Sequence, residues 1–204
     1  MKDQNLLPGI LHRISKNSDE KAFKELFDRY AFRLIGFANS FLNNYELSEE
    51  VVSDVFFKIW TQRDLLGRIE NFHAYLFKAT RNTALNYIDQ EKRQKAERLE
   101  NLNVDLMIDH ISPETSLIDS ELREAVEAAV NCLPPKCKLI YNLAKVEKMK
   151  YKEIASLLQV SVKTIDSQIA IAVRKIGNVI RHHLDNNDTG TPFSVLLQLF
   201  IPSE

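Results

Sequence analysis

The chain has 204 residues, with 27 Lys plus Arg against 28 Asp plus Glu and a formal net charge of −1. Its 45% apolar and 27% charged residues exclude collagenous, mucin-like and wholly disordered chains. No run of about 18 apolar residues exists, so no membrane span is predicted; the first ten residues have no apolar stretch of the kind a secretory signal needs.

Only five glycines punctuate the chain, and most segments carry the helical period. Ser18 is read as the start of a first helix, with Asp19 and Glu20 at the positive end of its dipole. Phe23, Leu26, Phe27, Tyr30, Leu34 and Phe37 recur at steps of three and four, as a buried face does. A second helix is expected to start near Ser48, with Glu49 and Glu50 in its first turn. Val51, Val52, Val55, Phe56, Ile59 and Trp60 form its apolar side, while Glu50, Ser53, Asp54 and Phe57 lie mostly off that stripe. Gly67 reads as a stop. A third helix runs from about Asn71 to Arg93 or a little beyond. Three amphipathic helices can enclose a small core.

Residues 1–95 carry a net charge of +2, residues 96–130 a net of −7, residues 131–183 a net of +7 and residues 184–204 a net of −3. The near-neutral total is therefore a cancellation. An acidic stretch followed by a basic block points towards nucleic acid, and the competing reading is a pair of solvated faces. Within the acidic stretch, residues 99–119 read as a linker broken by Pro113, although Leu102, Val104, Leu106, Met107 and Ile108 make it sticky in places.

A further helix begins near Ser120, lined by Leu122, Val126 and Val130. Pro134 and Pro135 end it and suit the first turn of the next, which Leu139, Ile140, Leu143 and Val146 continue. Residues 151–176 then have the grammar of a helix-turn-helix. Ile154, Ala155 and Leu158 face inward, Val160 plugs the turn and Ser161 caps a long helix from Val162 to about Leu184. Ile165, Ile169 and Ala172 or Val173 bury that helix. Its opposite face offers Lys163, Thr164, Asp166, Ser167 and Gln168, positioned to meet base edges in a major groove. Lys150, Lys152, Arg174 and Lys175 are placed to reach phosphates. An ordinary helical hairpin with a polar face is the bland alternative.

Four segments in order resemble the extracytoplasmic-function (ECF) sigma factors of the sigma-70 family. They are Ala22–Tyr30, Ser48–Trp60, Asn71–Tyr87, and the C-terminal block from Leu133-Pro134 through the helix-turn-helix. The resemblance covers roughly residues 20–183. It implies an all-α protein of two small helical domains joined by an acidic linker, the second a winged-helix-like, four-helix domain. The expected division is a polymerase-docking and promoter-melting domain at 1–95, a linker at 96–119, a helix-turn-helix domain at 120–184 and an apolar tail at 185–204.

The same resemblance assigns roles. Glu50, Ser53, Asp54 and Phe57 would dock on core RNA polymerase; Ser53 stands where the family usually has Gln. Arg63, Arg68, Lys78, Asn82 and Asn86 would open the promoter and hold its single strand, one flipped base entering a loop pocket. Lys92 and Arg93 would guide phosphate. Tyr75 matches a family aromatic and is expected in the core. The implied partners are core RNA polymerase (the coiled coil of its largest subunit and the flap region), promoter DNA and an anti-sigma factor. The acidic linker matches a family segment that threads the polymerase; the net charge of −7 over residues 96–130, apart from the resemblance, is expected to compete for the basic domain and keep the free protein off DNA.

Asp166 can accept from cytosine N4 and Gln168 can read adenine, but neither follows the basic pattern of many members. The apolar tail segment Phe193–Ile201 is too short to span a bilayer and either folds back on a domain or contacts a regulator. No catalytic constellation or Gly-rich phosphate loop is present, so no enzyme and no cofactor are expected. Cys132 and Cys137 lack the partners of a zinc site and read as reduced thiols in a cytoplasmic protein. Two other readings remain. One is a stand-alone helix-turn-helix regulator with residues 1–95 as a sensor or dimerisation domain; the other is a helical interaction module without DNA.

Overall fold

The computed structural model describes residues 6–96 and 120–186, together with Ser194 and Phe200. The described elements are helical and fall into two compact units, residues 1–107 and 108–204. The boundary between them lies outside the described residues, as do the linker and most of the tail.

The first unit comprises α1 (Leu7–Asn17), α2 (Glu20–Leu42), α3 (Tyr45–Thr61), a 3₁₀ turn (Arg63–Arg68) and α4 (Phe72–Ala96). Sequence reasoning did not anticipate α1, which buries Ile10 and Ile14, one turn apart, and packs on α2 and the 3₁₀ turn. Ser18 does not start the following helix. It ends α1 in the left-handed region at φ 50°, and Asp19 is the cap of α2, accepting from the Ala22 N–H at 3.0 Å. A carboxylate can satisfy that orphan donor as well as a hydroxyl can, and here it lies one residue further on.

The second boundary shifts for the same reason. Asn44 caps α3 by accepting from the Leu47 N–H at 3.0 Å, so the helix begins at Tyr45 rather than near Ser48. Ser48 is fully buried and donates back to the Asn44 carbonyl at 2.6 Å. Nor does Gly67 stop α3, which ends at Thr61; Gly67 lies inside the 3₁₀ turn.

The expected stripes form the core. Leu26, Tyr30, Leu34 and Phe37 of α2 meet Val51, Val52, Val55, Phe56 and Ile59 of α3, with Phe72, Leu76, Phe77 and Ala84 of α4. Each large side chain so buried stabilises the unit by roughly 1.5–3 kcal/mol. Phe27 keeps 38% exposure because it lies at the edge of that stripe, its ring 4.8 Å from that of Phe56. Asn71 opens α4 by accepting from the Ala74 N–H at 3.0 Å.

In the second unit, α5 (Ser120–Asn131), α6 (Pro135–Lys145) and α7 (Tyr151–Leu158) pack on α8 (Val162–Asn186). Pro134 and Pro135 divide α5 from α6 as read from the sequence. The core is Leu122, Val126, Val130, Ile140, Leu143, Ile154, Ala155, Ile165, Ile169, Ala172, Ile176 and Ile180. Leu157 takes the buried position expected for Leu158, which is half-buried. Both leucines border the face centred on Ile154, and on a helix of eight residues periodicity does not separate them.

Candidate functional site

Three surfaces carry the residues singled out from the sequence. The first is the outer face of α3. Glu50, Ser53 and Phe57 are exposed there and Asp54 is half-buried. Phe57 keeps 66% of its surface in water, a large apolar group beside two carboxylates one turn apart. Sequence reasoning missed the residue that organises this face. Tyr87 of α4 directs its hydroxyl at Asp54 Oδ2 (2.9 Å) and Glu50 Oε1 (3.2 Å). Burial of the phenol, and then its bond to Asp54, push its pKa well above the ordinary value.

The second surface lies on the 3₁₀ turn and α4. A pocket of about 340 Å³ is lined by Ile59, Gln62, Leu65, Leu66, Arg68, Ile69 and Tyr75. Of these, Leu66 is buried, while Leu65 (47% exposed) and Tyr75 (36%) stand at the surface. Tyr75 was expected in the core and is not. It precedes Leu76 and Phe77, which take the inward positions, so it points away from them. Arg68 is exposed at this pocket, whereas Arg63 is committed elsewhere. Its Nε donates to Ser18 Oγ at 2.8 Å and its Nη1 to the Trp60 carbonyl at 3.0 Å, with the guanidinium 5.0 Å from the Trp60 ring centroid. Lys78, Asn82 and Asn86 are all exposed at four-residue spacing, which makes one polar stripe along α4. The side chains of Lys92 and Arg93 lie outside the described residues.

The third surface is the helix-turn-helix. Gln159 turns the chain at φ 56° after α7. Ser161 caps α8 as expected, accepting from the Thr164 N–H at 3.1 Å. Its hydroxyl also shares a hydrogen bond of 2.8 Å with that of Thr164. Lys163, Asp166 and Ser167 are exposed on the first two turns, and Thr164 and Gln168 are half-buried. Ser167 donates its hydroxyl proton to the Lys163 carbonyl at 2.8 Å. Behind this face Cys137 of α6 is fully buried and donates to the Gln168 carbonyl at 3.2 Å, and burial raises its pKa.

The four lysines and arginines flanking the motif differ in their surroundings. Lys152 and Arg174 are exposed. Lys150 precedes α7, with its backbone N–H on Glu153 Oε2 at 2.9 Å and its side chain exposed. Lys175 reaches across to the Cys132 carbonyl at 3.2 Å, at the end of α5. Part of that charge therefore closes a helix terminus. Of the tail, Phe200 accepts a hydrogen bond from the buried Tyr141 hydroxyl at 2.8 Å. Among the described residues no group of three or more His, Cys, Asp or Glu is arranged to hold a metal ion, and no helix is long and apolar enough to cross a membrane.

Two all-α units, the second carrying a capped helix-turn-helix, are the architecture of a helical DNA-binding transcription factor. Comparison with known proteins narrows the class. The family model for Sigma-70 region 2 matches residues 26–94, and that for Sigma-70, region 4 matches residues 123–176. The chain is 27% identical over 188 residues to the ECF RNA polymerase sigma-E factor of Haemophilus influenzae, covering 89% of this chain and 98% of that one. It is 26% identical over 179 residues to the ECF RNA polymerase sigma-E factor of Escherichia coli strain K12, covering 84% and 93%. Among solved structures it resembles the sigma factor RpoE of Bartonella quintana, crystallised in complex with the anti-sigma factor NepR. The TM-score is 0.53, with 21% identity and coverage of 79% of this chain and 98% of that one. The chain belongs to the sigma-70 family of RNA polymerase sigma factors, in its ECF class. It is a transcription initiation factor, and these matches favour that reading over a stand-alone regulator.

Proposed function

We propose that the two units divide the work of initiation as the sequence order suggests. Residues 1–95 dock on core polymerase and open the promoter, residues 120–184 read the upstream duplex, and residues 96–119 join them. The α3 face of Glu50, Ser53, Asp54 and Phe57 is the docking surface. An exposed Phe beside two carboxylates supplies an apolar anchor and charge complementarity to a basic partner. Lys78, Asn82 and Asn86 take the displaced strand, and the pocket under Arg68 and Tyr75 receives an unstacked base.

The observation that carries this reading is that Tyr75, the aromatic wall of the pocket, stands on α4 three residues before Lys78, the first residue of the exposed polar stripe. An extruded base gives up stacking worth a few kcal/mol, and a pocket with an aromatic wall and a cation returns about 1–3 kcal/mol per base. An Asn offers both donor and acceptor to base edges. In the second unit Lys163, Thr164, Asp166, Ser167 and Gln168 meet the major groove, while Lys150, Lys152 and Arg174 hold phosphates. The nucleotidyl transfer belongs to the polymerase, so no catalytic residue is assigned here, and the site of action is the cytoplasm. An anti-sigma factor, of the kind crystallised with the Bartonella protein, is the regulator this reading includes.

The test is promoter-dependent transcription with purified core polymerase and a genomic promoter library, with permanganate reactivity as the readout of strand opening. The expected result is specific transcripts that are lost together with opening when Lys78, Asn82 and Asn86 are replaced by Ala. Transcripts with no loss of opening in that triple variant would overturn the assignment of the α4 stripe.

A further inference from the structure

Tyr87 is not among the docking or strand-binding residues proposed above, yet it bonds two of the first and directly follows one of the second. Its ring packs against the small cluster Ala38, Val51 and Ala84 at the junction of α2, α3 and α4. Its hydroxyl emerges between Glu50 and Asp54, at 3.2 and 2.9 Å. The phenol has one proton to give and two acceptors, both of them carboxylates. Two like charges one helical turn apart repel, and a donor between them offsets part of that repulsion while holding both side chains to one arrangement. The raised pKa of the phenol keeps it a donor throughout the neutral range.

We propose that Tyr87 is a positioning residue for polymerase docking: anchored in α4, it holds the carboxylates of Glu50 and Asp54 on α3 as a preformed pair for a basic partner surface. This rests on the reading of α3 as the docking face. A carboxylate pair fixed before encounter loses less side-chain freedom on binding than one that must be ordered by the partner. Tyr87 also directly follows Asn86 of the strand-facing stripe, so the residue that orders the docking pair stands on the helix that meets the promoter.

The experiment compares Tyr87→Phe, the double variant Glu50→Gln/Asp54→Asn, and the triple variant that combines them. Affinity of the full chain for core polymerase is the readout. Tyr87→Phe keeps the ring and its packing, and should weaken binding about three- to tenfold, the net range of one ordinary hydrogen bond, because Tyr87 acts on the partner only through the carboxylates. In the double-variant background the same change should have almost no effect, because the carboxylates through which Tyr87 acts are gone. Equal loss in both backgrounds, or wild-type affinity of Tyr87→Phe while the double variant is weakened, overturns the proposal and leaves the docking face standing. Wild-type affinity of the double variant overturns both.

Discussion

Arg63 and Ser18 lie 45 residues apart in the chain, and the guanidinium Nε of the first donates to the hydroxyl of the second at 2.8 Å. That bond ties the α1–α2 junction to the start of the 3₁₀ turn that walls the pocket. Arg63→Ala should therefore loosen the turn and slow promoter opening, because it removes the Ser18 bond, the Trp60 carbonyl bond and the stacking together. Ser18→Ala removes only one neutral partner and should cost no more than about 1 kcal/mol of stability. Permanganate footprinting beside thermal unfolding checks both. An Arg63→Ala chain that opens promoters at the wild-type rate would show that the turn keeps its form without the clamp.

Adjacent phenylalanines on α3 should separate folding from docking. Phe56 is 2% exposed and packs against Phe23 and Phe27, so Phe56→Ala should destabilise the protein by about 3–5 kcal/mol. Phe57 is 66% exposed, and Phe57→Ala should change stability by less than about 0.5 kcal/mol. The same substitution should weaken polymerase binding at least about tenfold, as loss of an apolar anchor does. Unfolding curves and a polymerase affinity assay on the two variants supply the comparison.

The basic flank of α8 should divide in the same way. Arg174 is exposed, and Arg174→Gln should reduce the salt slope of holoenzyme binding to duplex DNA by about 0.9 without changing stability, one phosphate contact being lost. Lys175 also donates to the Cys132 carbonyl. Lys175→Gln should lower stability as well, by up to about 1 kcal/mol. Equal unfolding midpoints for the two variants would place Lys175 with the solvated lysines.

Stability should fall on the alkaline side. Burial raises the pKa of Tyr141 in the folded protein above the ordinary phenol value and raises that of the Cys137 thiol. The folded state therefore holds protons that the unfolded chain releases. The stability from these groups is complete below their unfolded values and declines as pH rises past them. For Tyr141 the decline begins near pH 10. Tyr141→Phe should flatten that alkaline loss in denaturant titrations. Thiol labelling at neutral pH should modify the exposed Cys132 and spare Cys137 until the protein unfolds.

Much of this was legible in residue order. The apolar period of Val51, Val52, Val55, Phe56 and Ile59 placed a buried face on α3, and Ser161 before Val162 announced the cap of α8, because both signals are local. The α1 helix was hidden because Pro8 and Gly9 suggest a turn and only Ile10 and Ile14 are fully buried in it. Asp19 and Asn44 were missed as caps because a hydroxyl residue stood nearby in each case. Tyr87, Arg63 and Tyr75 were misread or passed over for another reason. Their partners are 33 to 45 residues away or depend on which side of a helix faces the core, and nothing in a local pattern encodes that pairing.

The carboxylate of Asp19 closes α2 through the Ala22 N–H while also accepting from Arg13 of α1 at 2.8 Å. One side chain thus serves two helices. The first turn of α2 cannot keep its cap geometry while α1 peels away, so the amides of Ala22 and Phe23 should exchange with solvent in step with those around Ile14. Residues 7–17, which lie ahead of the segments that match the family, should therefore unfold together with the start of α2. Trimming the chain at Ser18 would leave the 3₁₀ turn, which carries Leu65, Leu66 and Arg68 of the pocket, without the helix that packs on it.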